Sequence, residues 1–187
     1  MAGGRVRGEV RADFVEEPRY AVRLDFQGVR VAPIAALTAS THECCSGTGA
    51  GHLELMAAGW TRTALLASLT GTGRAEVRLA AVLTLDLPDS LASGELRPGR
   101  TALRDVLADF SFSSGRARIE RLRVDFPESE ADANGSVNYR GELDLAFTPA
   151  QTRPGKTPGP RSAAPNAVRL SGTLAAPQIL STQPPSP

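Results

Sequence analysis

Apolar and polar residues take turns along most of this chain, and a period of two belongs to the extended strand, whose successive side chains point to opposite faces. Val6, Gly8, Val10, Ala12 and Phe14 share one phase against Arg7, Glu9, Arg11 and Asp13. After the EEPR stretch, Tyr20, Val22, Leu24 and Phe26 repeat it, which predicts a strand pair ending at Gly28. VRVAPIAAL then reads as a short strand step and a helical turn, so residues 1–37 form one unit. Residues 38–51, TASTHECCSGTGAG, have loop composition.

Alternation returns in GHLELMAAG and carries a β-rich core over residues 52–148. TRTALLASLTGTG interrupts it with a short helix: Thr61 or Thr63 as N-cap, a stripe of Leu65, Leu66 and Leu69, and Gly71 as stop. From Gly73 to Leu87 the odd positions are apolar or small, too long a run for one strand, so a break is expected near Ala80 and Ala81. Residues 88–100 connect, with a helical turn at their start, and TALRDVLADFSFSSG leads from a further helical turn into a strand holding Phe110 and Phe112. Phase slips between Glu120 and Arg121, where a turn or bulge should sit. Phase is unbroken through Asn134-Gly135, which argues for a glycine kink within a strand and against a hairpin.

Arg140-Gly141 makes a turn before Leu143, Leu145 and Phe147. Residues 149–166 are a disordered linker rich in Pro and Gly, residues 167–180 a closing strand stopped by Pro177, and residues 181–187 a disordered tail. The predicted class is all-β, a curved antiparallel sheet or groove of about ten strands with roughly one to three short helices.

Composition narrows the chemistry. Basic residues number 21 and acidic residues 20, for a net charge of +1. The two signs alternate along strands, as in RARIERLRVDF, and aromatics are only 5% of residues, so a nucleic-acid surface is not expected. Imidazole is offered only by His42 and His52, and no GxSxG motif accompanies them, so no enzyme activity and no catalytic residue is predicted. GTGR at 71–74 lacks the further glycine or GK[ST] of a phosphate loop. His42, Glu43, Cys44, Cys45 and His52 form the one metal-like cluster, but adjacent cysteines lack zinc-ligand spacing, and neither metal nor cofactor is expected. In an exported chain the two cysteines could oxidise. The longest purely apolar run, LAAVL at 79–83, falls far short of the roughly 20 residues of a membrane helix. With no signal-peptide core either, neither address nor anchor is expected, and the abrupt start of strand pattern suggests the tail of something longer.

A sheet with one apolar face must cover it with a second sheet, helices, a membrane or a ligand. Few residues here favour helix, which leaves two packed sheets or a curved sheet open along one side as an apolar gutter suited to acyl chains. The candidate lining residues are Val77, Leu79, Leu83, Leu85, Leu143, Leu145, Phe147, Val168, Leu170 and Leu174. The same residues would equally fill a β-sandwich.

The succession ALLASLTGTGRAEVRLAAVLTLDLPDSL, then TALRDVLADFSFSSGRARIERLRVDFPESEADANGSVNYRGELDLAFTP, a Pro-rich gap, and AVRLSGTLAAPQI resembles the C-terminal region of the AsmA family of bacterial envelope proteins. RVRGEVRADF and YAVRLDFQGVRVAPIAAL look like the strands that precede it there. The resemblance implies a long curved β-groove, held in the inner membrane by an N-terminal helix and reaching across the periplasm. It further implies a role in outer-membrane assembly and phospholipid traffic, with acyl chains and bacterial membranes as partners and no catalytic residues. The chain departs from the family in lacking the anchor, in placing Ala80-Ala81 where a turn is usual, and in the polarity of SEADANGS. The expected function is a non-enzymatic envelope module contributing an apolar β-groove. The alternative is a structural or adhesive β-sandwich module that binds protein partners by edge pairing.

Overall fold

A computed structural model describes residues 3–14, 16–30, 45–82, 86–93, 95–138, 142–148, 151–152, 168–173 and 177–181. They form one antiparallel sheet. Its strands are β1 (Arg5–Asp13), β2 (Arg19–Arg30), β3 (Cys45–Ala58), β4 (Thr70–Val82), β5 (Thr101–Ala102), β6 (Asp105–Ser113), β7 (Arg116–Asp125), β8 (Ser129–Asn138), β9 (Glu142–Phe147), β10 (Gln151–Thr152), β11 (Val168–Thr173) and β12 (Pro177–Ser181). The two helices are α1 (Arg62–Ser68) and α2 (Leu87–Ser93).

Strand order is β1-β2-β3-β4-β6-β7-β8-β9-β11-β12, with β5 against β4 and β10 against β8 off this path. Neighbours in sequence are neighbours in space, as short connections favour. The sheet is open, with β1 and β12 at its two edges. No second sheet packs on it among the described residues.

Several expectations hold. β1 and β2 pair with Val10 opposite Val22 and Gly8 opposite Leu24. Register shifts between Asp109 and Phe110 on β6 and between Ile119 and Leu122 on β7 mark the phase slip. β8 runs through Asn134-Gly135 without turning back. Thr61 caps α1, its Oγ1 accepting from the Ala64 N–H at 3.1 Å.

Other boundaries move. β4 passes through Ala80-Ala81 without a turn, because Ala81 is paired on both sides, opposite Ser46 of β3 and Ala102 of β5. The expected helical turn at residue 101 is β5, an added strand rung. β3 begins at Cys45, so the later part of the expected loop is strand, and Gly51 within it lies under the Phe26 ring. Gly71 belongs to β4, and α1 ends earlier, at Ser68. Gly28 does not stop β2 but sits at a register shift between Phe26 and Val29, with φ of 67°. Pro177 opens a further strand, β12, where an edge position tolerates its missing N–H. The predicted helical turn after Arg30, most of the linker and the last six residues of the tail lie outside the described residues.

Helix α1 is tied to the end of β3, and α2 packs on the apolar face of the sheet. Ser68 pins α1 to β3, its hydroxyl donating to the Ala58 carbonyl at 2.7 Å and accepting from the Ala58 N–H at 2.8 Å. In α2, the Asp86 carboxylate accepts from Asp89 N–H at 3.1 Å and Thr101 Oγ1 accepts from Leu87 N–H at 2.6 Å. So fixed, α2 drives Leu91 into a buried cluster with Val124, Phe126, Ala131, Ala133, Leu145, Phe147 and Val168.

Candidate functional site

The registers stack the in-phase residues into rows that cross the whole sheet on one face. One row reads Gly8, Leu24, Leu53, Gly73, Phe110, Ile119, Gly135, Leu145, Leu170, Ile179. The next reads Val10, Val22, Leu55, Gly71, Phe112, Ala117, Val137, Leu143, Gly172, Pro177. Every position is apolar or glycine, so the face is continuous from edge to edge.

Large side chains on this face lie down over glycines. A Cβ at Gly8 would stand 2.5 Å from Leu24 Cδ2, and one at Gly51 would stand 2.6 Å from Phe26 Cζ. At Gly73 it would meet Leu53 Cδ2 and Phe110 Cε2, both at 2.5 Å. Glycine therefore gives Leu53 and Phe110 the room to lie across the strands, which keeps this half of the face smooth and low.

Cover is uneven. At the end of β7 to β11 nearest α2 the face is buried, and Phe147 and Val168 keep only 5% and 4% exposure, whereas Ala117, Ile119 and Val137 further along are half-buried. From β1 to β4 the face is open over most of its length among the described residues: Val6 and Val10 are exposed and Val22, Leu24, Leu53 and Leu55 are half-buried, while Val29 at the far end of β2 is buried. Two aromatic residues stand exposed at one end of this open half, Phe14 after β1 and Trp60 between β3 and α1. Phe14 packs edge-on against Tyr20 at 6.0 Å.

The sequence candidates divide along this line. Val77 is on β4 of the apolar face, half-buried, beside Gly49 and Val106. Leu143, Leu145, Phe147 and Val168 are on the same face but buried, three of them in the cluster with Leu91, and Leu170 packs against that cluster. In place of open lining, Leu145, Phe147 and Val168 form a floor beneath α2. Leu79 is within β4, and Leu83, Leu85 and Leu174 lie outside the described residues. The open half is lined instead by Val22, Leu24, Leu53 and Leu55, whose alternation is plain in the sequence; what sequence lacks is any sign of where α2 would land.

The opposite face is a lattice of charges. Arg23 Nε donates to Glu54 Oε1 at 2.9 Å, Arg123 pairs with Asp132 at 3.3 Å, and Arg74 with Asp109 at 3.7 Å. These arginines are engaged by acids across strands, as the alternating pattern implies. A shallow depression walled by Glu9, Arg11, Arg23, Glu54 and Thr72 lies on this face, where Arg11–Glu9 and Arg23–Glu54 already pair.

His52 also belongs to the polar face. Its Nδ1 is 2.7 Å from Asp25 Oδ1 and its Nε2 is 3.3 Å from Glu54 Oε1. Hydrogen bonding to Asp25, then to Glu54, raises the imidazole above its usual pKa, and the His52 contact holds Glu54 below the usual carboxylate range. Among the described residues no group of three or more His, Cys, Asp or Glu could hold a metal ion. His42, Glu43 and Cys44 lie outside those residues, and Cys45 opens β3. No described helix is long and apolar enough to cross a membrane. The chain matches no protein-family model, no curated protein and no solved structure.

Proposed function

We propose that the chain is a non-enzymatic, AsmA-like module of the bacterial cell envelope, periplasmic and working at the inner membrane, whose apolar sheet face receives phospholipid acyl chains. The observation that carries this reading is the open half-face over β1 to β4, apolar in every row and levelled by glycine. An acyl chain needs contact area without polar partners, and such a surface offers dispersion and desolvation along its whole length. The floor built by α2, β7, β8, β9 and β11 holds the sheet in shape while the other half stays available. Exposed Trp60 and Phe14 suit the rim of a site that meets a bilayer, since large aromatics favour the boundary between apolar and wet surroundings.

The test is recovery of lipid. Purified chain is extracted with organic solvent and the extract analysed by mass spectrometry, then the delipidated chain is incubated with phospholipid vesicles and extracted again. Stoichiometric phospholipid in either extract supports the reading; none in both, with a known lipid carrier positive in parallel, removes it. A second reading, a structural module that binds protein through a sheet edge, is favoured by the outer edge of β1, with which no strand pairs among the described residues.

A further inference from the structure

The two edges of the sheet are unlike. β12 is five residues long and opens with Pro177, which blunts it. β1 is nine residues long, carries no proline and no bulge in its pairing with β2, and every residue in it is exposed. Among the described residues no strand pairs with its outer edge. A flat edge of this kind is a template for another strand.

The order of charges along β1 says which strand fits. A two-fold axis normal to the sheet pairs the edge with its own copy antiparallel, and the apolar faces join only if residues of the same phase meet. Centred on Glu9, that pairing sets Glu9 against Glu9 and Arg7 against Arg11. Centred on Arg11, it sets Arg11 against Arg11 and Glu9 against Asp13. Centred on Gly8, Arg7 meets Glu9 but Arg5 meets Arg11, and centred on Ala12 the one charged pair is Arg11 with Asp13. Centred on Val10, every charge-to-charge contact is complementary: Glu9 meets Arg11 and Arg7 meets Asp13, while Val6 meets Phe14 and Gly8 meets Ala12, each occurring twice. Opposite charges directly across strands attract and like charges repel, so the strand's own sequence selects this register. Glu9 and Arg11 already lie within reach of each other in one copy, 3.4 Å apart and well exposed, so both are placed to be shared across the axis.

We infer that β1 is a homodimerisation edge: two copies pair β1 to β1 about Val10, fusing the two sheets into one and joining their open apolar half-faces into a single surface. The exposed Val6 and Val10, at 59% and 67%, then lie in the middle of an apolar face and not at its margin.

Sedimentation of the full chain over a concentration range tests this. Wild type is expected to be a concentration-dependent dimer. Glu9→Arg, at a fully exposed site that leaves the fold intact by circular dichroism, sets the introduced guanidinium against Arg11 of the other copy and is expected to shift dissociation at least tenfold toward monomer. The double variant E9R/R11E restores opposite charges and is expected to restore the dimer, an outcome that general loss of folding does not give. In a background with Cys44 and Cys45 changed to Ser, Val10→Cys is expected to cross-link to itself, since residues facing across an antiparallel pair are within disulfide reach. A wild-type monomer at the highest soluble concentration, a dimer indifferent to E9R, or no rescue by E9R/R11E would each overturn the proposal.

Discussion

Arg169 of β11 grips Asp144 of β9 with both ends of its guanidinium, Nε to Oδ1 at 2.6 Å and Nη2 to Oδ2 at 2.5 Å. The two are diagonal neighbours, since Arg169 is registered opposite Ala146 and Asp144 opposite Ser171. β11 is brought to β9 from 25 residues along the chain at this pair, and the fork fixes which residue it meets. The Arg169 hydrogen bond is the main reason that the Asp144 carboxyl sits below its usual pKa.

Arg169→Met, which keeps the stem and removes the fork, is therefore expected to lower the urea midpoint modestly, because both partners are half-exposed to screening solvent. The sign with pH follows. Asp144 titrates lower folded than unfolded, so its contribution is present above the ordinary value of 3.8 and fades as pH falls through the folded value. The gap between wild type and variant should hold near neutral pH and close in strong acid.

Period-two alternation was enough to read most of the long strands, the slip at Glu120 and the passage of β8 through Gly135, because each side chain's face follows from counting along the strand. Boundaries failed where tertiary pairing overrode local composition. Ala80-Ala81 stays extended because β5 comes back to pair with Ala81, and Cys45 to Gly51 is strand because it pairs with β4 and, from Thr48 on, with β2, Gly51 making room for the Phe26 ring. The site was legible as a face but not as an area: Leu145 and Leu53 share a cross-sheet row and an identical pattern, and only the landing of α2 buries one and leaves the other half-open.

Gly135 and Gly73 occupy the same row, yet their substitution should differ. A Cβ at Gly135 would stand 2.0 Å from the Asp144 carbonyl oxygen and 2.8 Å from Leu145 Cα, with φ at 153°, so backbone must move. At Gly73 the nearest atoms are tips of Leu53 and Phe110, which can lift off an open face. Gly135→Ala is expected to cost about 2–3 kcal/mol by urea unfolding, and Gly73→Ala clearly less.

Leu91 of α2 is in the buried cluster at 5% exposure, with Leu87 packed against it. Leu91→Ala is expected to lose about 2–5 kcal/mol through lost burial and the cavity left behind. Leu180, on β12 and half exposed, should tolerate the same change within about 0.5 kcal/mol. Equal effects at the two positions would mean that α2 does not cap the sheet.

The His52 imidazole should titrate above 6.5 in a proton NMR series, and Asp25→Asn should bring it down, because the Asp25 hydrogen bond is the largest cause of the rise. A raised folded value means that the His52 contribution to stability is complete below the unfolded pKa and lost as pH rises through the folded one. Glu54 works the other way, contributing above its ordinary value of 4.5 and losing that as pH falls. The cluster therefore supports the β2–β3 pair most strongly between about pH 4.5 and 6.5, and the wild-type advantage over His52→Gln should peak there.

Whether the open half-face serves a ligand or merely tolerates water is decided by comparing it with the buried half. Leu24 and Leu53 face each other across β2 and β3, half-buried, with their side chains laid over Gly8 and Gly73. Changing both to Gln leaves the amide ends free to reach solvent, so the cost in stability should stay at ~1 kcal/mol per site. Phe147→Gln, in the cluster beneath α2, strands an amide in an apolar core and is expected to unfold the chain or cost about 3 kcal/mol or more. If the open face carries acyl chains, the L24Q/L53Q variant keeps a wild-type circular dichroism spectrum yet yields several-fold less phospholipid on extraction. Trp60, the one tryptophan and 70% exposed, gives an independent reading: its emission should shift to the blue when wild type meets phospholipid vesicles and stay put in the double variant. Unchanged lipid recovery from a folded L24Q/L53Q chain would place the acyl chains elsewhere.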